Sequence, residues 1–89
     1  MNATQKLLLR QALLLQLHAA SPVSLPAETL RHGAALAGFH LTANELQAEL
    51  DYLADKNLLR IVPAALSQGL PRSLLTSTGR DYLEAEGLG

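Results

Sequence analysis

Between Ala3 and Ala20 the chain carries seven leucines: Leu7, Leu8, Leu9, Leu13, Leu14, Leu15 and Leu17. The residues of this stretch are good helix formers. Ser21-Pro22 ends it, because the residue before a proline avoids helical backbone angles. At about 100° per residue, Leu9, Leu13, Leu17 and Ala20 share one stripe, Leu7 and Leu14 a second, and Leu8 and Leu15 a third. A surface helix of a monomeric domain shows a single apolar stripe opposite a polar face. This helix is apolar nearly all round. The chain has 89 residues, one small domain, and a domain of that size buries only about 60% of its unfolded surface. The pattern therefore predicts a cover from outside the domain, and we read it as a homodimer contact through Leu7, Leu8, Leu14 and Leu15.

Composition supports a helical reading of the rest. Twenty-two Leu and fourteen Ala stand against three aromatics, two Val and one Ile. Leu and Ala favour helix and β-branched residues favour strand. This mix excludes a β-sandwich, a barrel and a disordered tail. Seven Lys and Arg against eight Asp and Glu leave no basic surplus of the kind that announces a nucleic-acid binder. The absence of cysteine removes disulfides, thiolate metal sites and Cys nucleophiles, and suits a reducing cytoplasm. Lys6 ahead of a leucine-rich stretch resembles a secretory leader in outline. Arg10, Gln11 and Gln16 interrupt that stretch, whose longest apolar run is Ala12–Leu15, so we expect neither a leader nor a membrane span.

Turn and cap signals divide the remaining residues. Val23-Ser24-Leu25 is a short extended link or edge strand, and Pro26 suits the first position of a second helix. That helix continues through Leu30, Ala34 and Ala37 to Gly38, a left-handed cap. Phe39-His40-Leu41 is a tight connection. Thr42 and Glu45 form a capping box for a third helix, which runs to about Asn57 and buries Leu46, Leu50, Leu53 and Ala54. Leu58–Pro63 holds the only Ile and one Val and reads as a strand. Turn residues fill Ala64–Arg72, and Ser73–Thr76 reads as the return strand. Thr78 with Asp81 would cap a last helix carrying Tyr82 and Leu83, closed by Gly87.

The order is helix, short strand, helix, turn, helix, strand, loop, strand, short helix. It predicts a mainly α fold with a small β-hairpin on the winged-helix plan, a single domain over residues 1–89 with the helix-turn-helix at about 26–57 and the wing at about 58–76. The segment LRHGAALAGFHLTANELQAELDYLADKNLLRIV resembles the helix-turn-helix and first wing strand of winged-helix regulators. LLTSTGRDYLEAEG resembles the second wing strand and following helix of that family. The compact whole is similar to small stand-alone winged-helix proteins of Mu-like prophages. The resemblance covers nearly the whole chain. It implies binding of double-stranded DNA by a small cytoplasmic transcriptional regulator of phage type, with the exposed face of helix 3 entering the major groove.

On that face lie Asn44, Ala48, Asp51 and Asp55, flanked by Gln47 and Glu45. Asn44 and Gln47 carry the side-chain amides that pair with adenine. Arg60 and Arg72 on the hairpin, and Arg31 with Lys6 and Arg10 on the first two helices, are the candidates for phosphate contact. Against this, Glu45, Glu49, Asp51 and Asp55 on helix 3 face Lys56 alone, and phosphate repels such a surface. A wing tip of Ala64, Ala65, Leu66 and Leu70 suits packing on protein better than on phosphate. The alternative is thus a winged helix that serves only as a protein-interaction module, with a protein partner in place of DNA.

Enzyme signals are weak. His18, His32 and His40 form no i, i+4 pair and have no Cys to assist them. Gly33 to Gly38 has P-loop spacing, but Phe39-His40 replaces Lys-Ser/Thr. Ala65–Gly69 approaches a nucleophile elbow without its first glycine. We expect no enzyme, no metal and no cofactor.

Overall fold

The computed structural model describes residues 1–64 and 69–89. Ala65 and Leu66 of the expected wing tip, and all of the elbow-like stretch except Gly69, lie outside the described residues. The elements are α1 (Ala3–Ala20), β1 (Leu25–Pro26), α2 (Ala27–Leu36), α3 (Ala43–Asp55), β2 (Leu59–Val62), β3 (Arg72–Leu75) and α4 (Ser77–Ala85). The three strands form one antiparallel sheet in the order β1-β3-β2. The chain is mainly helical with a small hairpin, as its residue pattern indicates. Among the described residues no helix is long and apolar enough to cross a membrane.

Local chemistry sets the boundaries. Asn2 caps α1: its side chain accepts from the Gln5 N–H at 2.8 Å, and its own N–H donates to Gln5 Oε1 at 3.0 Å. Gly38 (φ 96°) provides the left-handed turn after α2. Asn57 (φ 62°) provides another after α3, which therefore stops at Asp55. Pro26 is the N-cap of α2 and the last residue of β1, one position ahead of its expected place. The last helix is capped by Thr76 and not by Thr78: Thr76 Oγ1 accepts from the Gly79 N–H at 3.0 Å and donates to the Asn57 carbonyl at 2.6 Å. The second bond ties the helix start to the end of α3, a long-range contact that wins over a local cap.

The core gathers around α1, which packs against α2, β3 and α4. Leu9, Leu13, Leu14 and Leu17 are all fully buried, together with Leu30, Leu46, Leu50, Leu53 and Leu83. This corrects the expected dimer surface. Leu14 faces the domain's own core, and Leu15 is half-buried against that core. Only Leu7 and Leu8, at 48% and 50% exposure, remain on the surface. Helix α1 is apolar on several sides because its own chain covers it on several sides.

Two glycines mark close approaches. At Gly33 the Gln16 side chain occupies the space a Cβ would need, and Gln16 Nε2 donates to the Leu30 carbonyl at 3.1 Å. At Gly79 a Cβ would collide with the Leu58 carbonyl oxygen, which brings α4 against the entry to β2.

Leu17→Ala should cost about 2–5 kcal/mol of stability in urea unfolding followed by circular dichroism. Leu8→Ala should stay within about 0.5 kcal/mol of the parent. Equal losses would show that Leu8 is as buried in solution as Leu17.

Candidate nucleic-acid interface

Leu46, Leu50 and Leu53 turn α3 so that Asn44, Gln47, Ala48, Asp51 and Asp55 are exposed, as its spacing predicts. The start of α3 is fixed by a capping box. Thr42 Oγ1 accepts from the Glu45 N–H at 3.1 Å, and Glu45 Oε1 accepts from the Thr42 N–H at 2.9 Å. The Thr42 backbone bond, more than its hydroxyl, holds the Glu45 carboxyl below its ordinary range. Gln47 Nε2 donates to Asp51 Oδ1 at 3.0 Å, one turn along the same face. Asn44 has no side-chain partner among the described residues, so its amide is the one left open at this end of the helix.

Three of the candidate cations are engaged within the domain. Arg10 Nε donates to Glu49 Oε2 at 2.7 Å, with side-chain exposures of only 24% and 15%. Its guanidinium carbon lies 3.8 Å from the Tyr52 ring centre, and Lys56 Nζ lies 5.7 Å from it. This cluster joins α1 to α3, so Arg10 is removed from the phosphate set and Glu49 is no free surface acid. Arg31 holds Glu28 through Nε and Nη2 and donates Nη1 to the Leu41 carbonyl at 3.2 Å. The hydrogen bond between Arg31 and Glu28 lowers the carboxyl and raises the guanidinium from their ordinary values. Arg72 donates Nε to Ser24 Oγ at 3.0 Å and Nη2 to the Ser24 carbonyl at 2.8 Å.

Arg72 differs from the other two in having no carboxylate partner among the described residues. Its charge is oriented but not neutralised. Arg60 is exposed on β2 and makes no ion pair among the described residues. The register pairs Arg60 with Leu74 and Val62 with Arg72. Side chains alternate along a strand, so both arginines stand on one face of the hairpin, opposite Leu59, Ile61, Ser73 and Leu75. The structure thus groups Asn44 with Gln47 and Arg60 with Arg72. Gln47 also lines a pocket with Ile61, Pro71 and Ser73, so the amino half of α3 lies beside the hairpin.

Sequence reasoning passes over a third grouping. His32 on α2 and His40 in the Phe39–Leu41 connection line one open cleft with Glu28, Arg31, Ala35 and Leu41. Both histidines are exposed. The turn at Gly38 folds the connection back toward α2, and the shortness of that connection is the signal for it in the sequence. Compared with known proteins, the chain matches no family model, no curated protein and no solved structure.

Arg72→Ala should lower stability by about 1–3 kcal/mol, because it removes charge-assisted bonds that tie β3 to the segment before β1. Arg60→Ala should change it by no more than about 0.5 kcal/mol. Thermal unfolding of both variants separates the structural Arg72 from the exposed Arg60.

Proposed function

We propose that the chain is a winged-helix protein of the cytoplasm that binds double-stranded DNA through the amino half of α3, acting as a small transcriptional regulator of phage type. The observation that carries this reading is the capped, exposed amino end of α3, with Asn44 open and Gln47 beside it. The hairpin with strand order β1-β3-β2 directly after the helix-turn-helix supports it. Each amide that pairs with adenine adds about 1–3 kcal/mol of discrimination. Gln47 must first release Asp51, an exposed bond of about 1 kcal/mol or less. Asp51 and Asp55 repel phosphate, so α3 enters the groove by its amino end and tilts its carboxyl half away.

Phosphate contact falls to Arg60, Arg72 and Arg31. Arg72 keeps its charge and further N–H donors while Ser24 holds it in place. The Arg31–Glu28 pair is exposed, and such pairs contribute only about 0–1 kcal/mol, so a phosphate can replace the carboxylate.

A second reading, the protein-interaction module, is favoured by a different observation. Leu7, Tyr52 and Tyr82 line a groove between α1, α3 and α4, and Leu7, Leu8 and Tyr52 are substantially exposed. In that reading the homodimer or partner contact through α1 rests on Leu7 and Leu8, with Leu15 at its margin.

Titration of a mixed-sequence duplex across a salt series tests the first reading. Contacts from Arg31, Arg60 and Arg72 should give a log K against log salt slope of roughly −3. Arg60→Ala should make that slope shallower by about 0.9. Asn44→Ala should relax base preference and leave the slope as it is. No binding at low salt, where attraction is strongest, contradicts DNA binding and leaves the second reading.

A further inference from the structure

The cleft at the helix-turn-helix connection sets two imidazoles beside an ion pair. From α2 it takes Glu28, Arg31 and His32; from the connection it takes His40; Ala35 and Leu41 complete it. Glu28 and Arg31 satisfy one another, and that pairing keeps the Glu28 carboxyl ionised down to lower pH than usual. The acid of the α3 first turn, Glu45, is committed to Thr42. The cleft's variable charge therefore lies with its two imidazoles, and imidazole is the side chain that changes charge between about pH 5 and 8. Arg31 also donates to the Leu41 carbonyl, which places the cleft immediately before Thr42, the residue that begins the reading helix.

We propose that this cleft is a seat for a backbone phosphate of the bound duplex, and that protonation of His32 and His40 switches it from a neutral to a cationic surface. The inference rests on the DNA-binding reading and adds a regulation to it. The sign is set by linkage. A phosphate favours the protonated imidazoles, so binding takes up protons and affinity rises as pH falls. Arg31 is the one permanent cation among the lining residues, and Glu28 offsets it. Protonated imidazoles add positive charge toward the phosphate that the ion pair lacks.

The seat predicts a local effect that overall charge does not. His18, the remaining histidine, sits in the last turn of α1 and contributes nothing to the cleft lining. Anisotropy titrations of the same mixed-sequence duplex, in about 0.1 M salt at about pH 5.5 and pH 8, measure the ratio of the two affinities. Circular dichroism at both values checks folding, and both histidines are exposed, so a His32→Gln/His40→Gln chain should fold. The parent should bind roughly tenfold more tightly at the lower pH, with a salt slope steeper by about 0.9, the increment for one further neutralised phosphate. In the double variant the affinity ratio should fall to about one. A parent ratio near one overturns the phosphate seat while leaving DNA binding intact. A double variant that keeps the parent's ratio also overturns it, by assigning the effect to His18 or to net charge. Absence of binding at both pH values removes the DNA reading and the seat with it.

Discussion

The burial of one helix organises this domain. Leu9, Leu13, Leu14 and Leu17 of α1 lose all contact with solvent, because α2, β3 and α4 each press a different side of it. Full burial of a leucine is worth about 1.5–3 kcal/mol relative to exposure, and in a chain of 89 residues few other interactions compare with four such residues on one element. Elements that barely touch each other are held in place by touching α1. The sheet is too short to be stable alone, and β1 contributes only Leu25 and Pro26. The hairpin keeps its position because Leu59 and Leu75 are buried in the same cluster.

Charge is spent on structure around that core before any is left for recognition. Arg10 joins α1 to α3, Arg31 fixes the connection after α2, and Arg72 holds the chain before β1. A formal net charge of −1 supplies no long-range attraction toward a polyanion. Any affinity for DNA must come from a few local contacts, at the amino end of α3, the outer face of the hairpin and the cleft of His32 and His40. The proposed DNA reading accommodates the acidic carboxyl half of α3 only through a tip-first approach, because Asp51 and Asp55 are exposed and repel phosphate.

Much of the fold is legible in local signals. The Thr42 capping box, the Gly38 turn and the limits of α1 are set by residues within one helical turn of each feature. The hairpin is marked by the cluster of Leu59, Ile61 and Val62. The misleading signals are those settled at long range. The leucine stripes of α1 look like an excess because nothing in the sequence states how many neighbours one helix will have. Leu14 is the consequence, a residue that the stripes assign to a partner and that belongs to the core. Thr76 and not Thr78 caps α4 because Asn57, far off in sequence, draws its hydroxyl. Of the candidate site, the exposed positions of α3 are readable from the period of Leu46, Leu50 and Leu53. The engagement of Arg72 by Ser24 is not, since it needs the chain to fold back on itself; the cleft shared by His32 and His40 has only the short connection after Gly38 as its sign.

In the proposed reading, the amino end of α3 is the surface that meets DNA. Amide chemical-shift mapping by NMR, with a short duplex added at low salt, tests it residue by residue. If α3 reads DNA, the largest shifts fall at Thr42 to Gln47 and on the Phe39–Leu41 connection, with smaller ones at Arg60 and Arg72. Shifts gathered at Leu7, Leu8 and Tyr52 instead, or none anywhere, would contradict it.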